Sequence, residues 1–142
     1  MSLAGMSRLW LVLLLASILS TKPLDRTLTL KKDEVFSGEL RLGKIKKPLS
    51  LRWTLFKDHG LVVHLNLNHF PYQFILYKDF QRNTFRADIF KETTPPQEVA
   101  NNEGANNLER PYFLVTFKNF DMQRGVAALK VKASPQLKWI EP

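Results

Sequence analysis

The sequence predicts an all-β domain of about eight antiparallel strands, preceded by an N-terminal signal peptide. Three observations carry this expectation. From Arg26 onward the apolar residues recur at a spacing of two rather than 3.6, as in strands with one buried face. Turn-forming residues stand between nearly every pair of these runs. After residue 25 there is no helical stripe of three turns. Connections this short join antiparallel neighbours, giving a meander that either closes into an up-and-down barrel (lipocalin-like) or splits into a β-sandwich.

The chain begins with an apolar run, Leu9 to Leu19, preceded by Arg8 and followed by Ser20-Thr21-Lys22-Pro23. A basic start, a short apolar stretch and small residues at its end are the parts of a secretory signal peptide. Eleven helical residues reach only ~17 Å, well short of a hydrocarbon core of ~30 Å. Residues 1–20 are therefore expected to be a signal peptide, or else a short uncleaved anchor through which the protein associates with the inner membrane. Cleavage is expected after Ser20, with Ile18 at the −3 position, and Met6 offers an alternative start. Residues 21–142 then form a single β-domain, a length typical of one domain.

Strands are expected at 27–32, 39–45, 49–57, 61–68, 72–78, 84–91, 111–118 and 125–133. The clearest alternation sets Leu61, Val63, Leu65 and Leu67 against Val62, His64, Asn66 and Asn68. Leu49, Leu51, Trp53 and Leu55 alternate with Ser50, Arg52, Thr54 and Phe56, which places Phe56 on the polar face. Ala127, Leu129, Val131 and Ala133 repeat the pattern near the end of the chain. Tyr72 to Tyr77 is apolar on both faces, as expected of a strand covered on both sides. Residues 92–110 break the rhythm with Pro95-Pro96, two Asn pairs and Gly104, and read as a long polar loop.

Composition narrows function. The chain has no cysteine, so disulfides, thiolate nucleophiles, Cys-ligated zinc and iron–sulfur clusters are excluded. It also has no Asn-x-Ser/Thr sequon. Both absences, in a chain expected to be exported, favour a periplasmic protein over one passing through an endoplasmic reticulum. The formal charge of +8 favours anionic partners. Basic residues with interleaved aromatics also suit nucleic acid on an OB-like barrel, but export disfavours that partner. Anionic lipid headgroups or acidic glycans of the envelope fit the same cations.

Following the meander places the connections 31–38, 57–60, 78–83 and 118–125 at one end. Each opens on lysine, with aspartate or asparagine within two residues, as turn chemistry alone would favour. Phe36, Phe80 and Phe120 are apolar residues at tips where polar ones would serve, and Arg82 and Arg124 follow two of them closely. Apolar tips beside cations suit an amphipathic anionic partner. The candidate binding residues are thus Phe36, Phe80, Phe120, Lys78, Arg82, Lys118 and Arg124. A second basic cluster, Lys44, Lys46 and Lys47, lies at the opposite end.

Motifs for chemistry are lacking. His59, His64 and His69 are evenly spaced, but residues five apart on a strand point to opposite faces, so the three do not converge on a metal. There is no G-x-S-x-G around Ser37, Ser50 or Ser134, no phosphate-binding glycine loop and no dinucleotide fingerprint. The only adjacent carboxylates, Asp33-Glu34, sit in an expected turn. The sequence thus points to a non-enzymatic protein without cofactor or metal. It would bind an anionic or amphipathic envelope component, or alternatively serve as an assembly subunit that contacts another envelope protein.

Overall fold

A computed structural model describes residues 23–89 and 110–142, which form nine strands in two antiparallel sheets. The strands are β1 (Asp25–Lys31), β2 (Phe36–Leu42), β3 (Ile45–Lys57), β4 (Gly60–Leu67), β5 (Phe70–Tyr77), β6 (Thr84–Asp88), β7 (Tyr112–Asp121), β8 (Val126–Ala133) and β9 (Lys138–Ile140). One sheet has the order β1-β8-β7-β6 and the other β5-β4-β3-β2-β9. The expected signal peptide and residues 92–109 of the expected polar loop lie outside the described residues.

The all-β, antiparallel expectation holds, but the barrel does not close. Strands β1 to β8 keep the cyclic neighbour order of an up-and-down barrel, with β8 paired to β1. The ladder is interrupted between β1 and β2 and between β5 and β6. At the first seam β9 occupies the outer edge of β2, pairing Glu39 with Ile140 and Arg41 with Lys138. That three-residue strand is absent from the sequence expectation because it is too short to show an alternation. At the second seam the space is filled by side chains rather than hydrogen bonds: Phe74 stacks on Phe85 at 3.9 Å, and Tyr72 leans on the same ring at 5.9 Å. The sheets therefore lie face to face over one apolar layer, as in a sandwich.

The inward faces follow the alternation closely on β4 and β8. Leu61, Val63, Leu65 and Leu67 from one sheet and Ala127, Leu129, Val131 and Ala133 from the other are all buried. Phe113, Val115, Leu40 and Leu51 complete the centre of the core. A buried hydrogen bond ties the layers together where Trp53 Nε1–H donates to the Leu30 carbonyl at 2.8 Å. Ser134, also fully buried, closes the start of β7: its Oγ accepts the Tyr112 N–H at 3.0 Å.

Two expectations change here. The strand read at 39–45 runs from Phe36 to Leu42, and a turn at Gly43, with φ of 60°, passes the chain directly into β3. β5 is not covered on both faces among the described residues: Tyr72, Phe74 and Leu76 face the core, whereas Ile75 on the other face is 51% exposed.

The packing of β9 depends on a glycine. A Cβ at Gly38 would overlap the six-membered ring of Trp139 and press on the Ile140 carbonyl. Trp139 in turn stacks on Phe36 at 5.1 Å. Gly38→Ala should therefore destabilise the fold by about 1–3 kcal/mol through overpacking. Urea unfolding followed by tryptophan fluorescence would show a lower midpoint, and an unchanged midpoint would mean that the Trp139 ring moves aside freely.

Candidate functional site

The four connections expected at one end do gather there. The Asp33 N–H donates to the Trp53 carbonyl, and Lys78 Nζ donates to Asn119 Oδ1 at 3.2 Å, linking the end of β5 to β7. The β3–β4 connection is a tight turn with Asp58 and His59 both at positive φ (53° and 66°), a twist that matches the flanking strands. At the far end of β4, Asn68 and His69 repeat this geometry. His59 and His69 thus cap opposite ends of one strand, while His64 sits midway, 2.9 Å from Thr54 Oγ1.

Two β-bulges shape the space between the tips. In β3 the pairing steps from Trp53–Val63 to Leu55–Val62, leaving Thr54 as the extra residue. In β7 it steps from Phe117–Leu129 to Asn119–Ala128, leaving Lys118 extra. An extra residue shifts all later side chains to the other face. Beyond each bulge, Phe56 and Phe120 therefore turn inward instead of Leu55 and Asn119. They meet across the two sheets as a stacked pair with centroids 4.0 Å apart. Trp53 meets Phe120 edge-on at 5.4 Å, and Phe117 meets Phe56 at 6.0 Å.

Above this aromatic cluster a cleft of about 550 Å³ opens at the tips. Phe56, Phe117 and Phe120 contribute its apolar part together with Met122, which is 75% exposed. Lys57 and Lys78 stand at its rim with Asp58, His59 and Asn119. The arrangement offers an apolar floor and two solvated ammonium groups, which suits an amphiphile with an anionic end. A second groove of about 480 Å³ lies on the outer face of the five-stranded sheet and includes Ser50, Arg52, His64, Asn66 and Gln73. There Arg52 is held by Asp33 at 3.0 Å, so its charge is already matched.

Of the residues singled out from sequence, Lys78 and Phe120 line the tip cleft. Phe36 instead is buried between the Trp139 ring and the Arg26 guanidinium, which lies 4.9 Å from its centroid. It fills the sandwich because β9, unseen in the sequence, brings Trp139 over it. Phe80 is 92% exposed in the β5–β6 connection. Lys118 is exposed at its bulge, and Arg124 is exposed in a turn whose backbone is held by Asp121 Oδ1. Arg82 packs over the Tyr77 ring at 4.3 Å and donates to both oxygens of Asp79. Phe56, Lys57, Asp58, His59, Phe117, Asn119 and Met122 line the cleft but were not among those candidates. Among the described residues no group of three or more acidic or imidazole side chains is placed to hold a metal ion.

The Arg82 pairing has a titration consequence. The side-chain hydrogen bonds from Arg82 are the largest influence on the Asp79 carboxyl and hold it below its ordinary value of 3.8; desolvation opposes them, and the Arg82 charge adds to the lowering. A carboxyl depressed in the folded state favours folding above its ordinary range, and that contribution disappears as pH falls through the depressed value. Arg82→Gln should raise the Asp79 titration, as followed by the NMR shift of its carboxyl carbon. An unmoved titration would show that this ion pair does not persist in solution. Comparison with family models, with curated proteins and with solved structures finds no match to this chain.

Proposed function

We propose that this chain is an exported, non-catalytic binding protein of the bacterial periplasm whose ligand is an anionic amphiphile of the cell envelope. The tip cleft carries the reading. Its floor of Phe56, Phe117 and Phe120 would take the apolar part of the ligand, and Lys57 and Lys78 its anionic end. Phe80, Arg82, Lys118 and Arg124 would form an outer ring of contacts around the mouth as the ligand enters. The cleft's size falls in the range of ligand sites, roughly 300–1,000 Å³. Its apolar floor favours a lipid over a glycan within the envelope class, because sugar hydroxyls would find few partners there.

Dodecyl phosphate is a suitable probe, with dodecyltrimethylammonium as its cationic counterpart. Isothermal titration calorimetry should detect the phosphate and not the ammonium. The double reversal Lys57→Glu with Lys78→Glu should weaken dodecyl phosphate at least about tenfold while leaving thermal stability nearly unchanged, since both side chains are exposed. Phe80→Ser should weaken it mildly at constant stability. Phe120→Ser should lower both, because Phe120 is stacked on Phe56 and packed against Trp53. Equal affinity for the two probes, or for the double variant and the unaltered protein, would overturn the reading. Native mass spectrometry of protein drawn from its own envelope fraction should show a lipid-sized adduct on the monomer mass or on that of a small oligomer.

A further inference from the structure

We infer that the free edge of β5 pairs with the β5 edge of a second copy of this chain, joining two five-stranded sheets into one continuous sheet. Among the described residues four strands form the edges of the two sheets, namely β1, β6, β5 and β9, and no described strand pairs with the outer side of β5. Three of them carry the charges expected of protected edges: Asp25, Arg26 and Lys31 on β1, Arg86 and Asp88 on β6, and Lys138 on β9. β5 is the longest of the four at eight residues and carries no charge at all. In a chain of net charge +8, this is the edge along which two copies can approach without repulsion.

The backbone defines the register. Tyr77 N–H donates to the Arg82 carbonyl, away from β4, so Tyr77 belongs to the set of β5 residues whose polar groups point to the free edge. By the two-residue period of an antiparallel ladder, Ile75, Gln73 and Pro71 belong to the same set. Pro71 has no N–H to give, and the Tyr77 N–H is already spent. Gln73 and Ile75 remain as the residues able to exchange both bonds with a neighbouring strand. That set is self-complementary about Phe74. A two-fold axis there sets Gln73 opposite Ile75 of the second copy and Ile75 opposite its Gln73, forming four backbone hydrogen bonds. A symmetric pair needs one such patch per copy, as an isologous interface requires.

The outer face of the sheet agrees. Leu55, Val62 and Ile75 are neighbours in register across β3, β4 and β5, and Leu55 and Ile75 are 48% and 51% exposed. Across the proposed axis the two Ile75 side chains meet on the diagonal, within reach of one another. This extends an exposed apolar row over the seam and covers the face of β5 whose apolar character the single copy leaves in solvent. The tip cleft is left open, since the axis passes through Phe74 and the cleft lies beyond the C-terminal end of β5.

Sedimentation velocity on the protein, purified as its producing cells process it, tests the pairing at up to about 200 µM, where even a small interface would populate dimer. The unaltered chain should dimerise. Ile75→Lys, which sets two ammonium groups face to face, should weaken the dimer at least about a hundredfold. Gln73→Pro, which removes an N–H from the free edge alone, should also shift the protein to monomer. Thr29→Lys on the β1 edge should leave the dimer intact. All three variants should keep the circular dichroism of the parent and its affinity for dodecyl phosphate. A monomeric parent overturns the inference, and so does a dimer that tolerates Ile75→Lys. Hydrogen exchange adds a separate check, because slow exchange of the Gln73 and Ile75 amides in a monomer would place another part of the same chain on the edge and also overturn it.

Discussion

The two facing bulges, at Thr54 in β3 and Lys118 in β7, are the constraint on which the tip end of this sandwich depends. A strand with unbroken alternation would send Leu55 and Asn119 inward at this level and leave Phe56 and Phe120 in solvent. Each bulge adds one residue and exchanges those faces. Because the bulges lie on strands that oppose one another across the core, the two re-aimed rings arrive at the same place and stack at 4.0 Å. A single bulge would bring one ring against an asparagine or a leucine, without the aromatic floor. Offset and edge-on aromatic contacts of this sort contribute roughly 0.5–1.5 kcal/mol each beyond the area they bury. That is comparable to the hydrogen bonds a bulge gives up.

The global architecture follows from a similar competition. Eight strands in meander order could close into a barrel, and β8 does pair with β1. Closure would also require β1 to bond β2 and β5 to bond β6. At the first seam β9 has taken the position, anchored by Trp139 in the hollow that Gly38 leaves, while Arg26 on β1, whose backbone pairs with β8, reaches Glu141 beyond β9 through a side-chain ion pair at 2.7 Å. At the second seam the rings of Tyr72, Phe74 and Phe85 hold the strands apart as layers, and Pro71 removes a donor from the edge of β5. Bulk in the middle and an added strand at the side flatten the would-be barrel into two sheets.

This explains what the sequence disclosed and what it withheld. Alternation at 61–67 and 127–133 identified the inner faces of β4 and β8 because neither strand is interrupted. The same reading misplaced Phe56, because no glycine or proline marks the bulge at Thr54. A register step of one residue leaves no trace in hydropathy when both Leu55 and Phe56 are apolar. Phe36 looked like a tip residue because the strand that covers it, Lys138–Ile140, is three residues long and has no period to detect. Turn chemistry was more legible: Lys57-Asp58-His59-Gly60 and Lys78-Asp79 fall where the lysine-led connections put them, and Lys78 reaches the cleft. Met122 and Asn119 could not be assigned from sequence, since their place in the cleft depends on how far β7 runs past its bulge.

The bulge at Thr54 also links the two surfaces of interest. By turning Phe56 in, it turns Leu55 out, and Leu55 then continues the outer row formed by Val62 and Ile75. One inserted residue thus supplies the aromatic floor of the cleft on the inside of the sheet and extends the apolar row on its outside. Thr54 itself is suited to the position, because its hydroxyl meets the His64 ring at 2.9 Å and gives the extra residue a polar partner on the outer face. The positive charge divides accordingly. Lysines stand at the rim of the cleft, where an anion would be met, and β5 has none, so its edge remains available to another strand. A protein of net charge +8 that kept its lysines evenly spread would have neither an apolar cleft with a cationic mouth nor an edge that a second copy could approach.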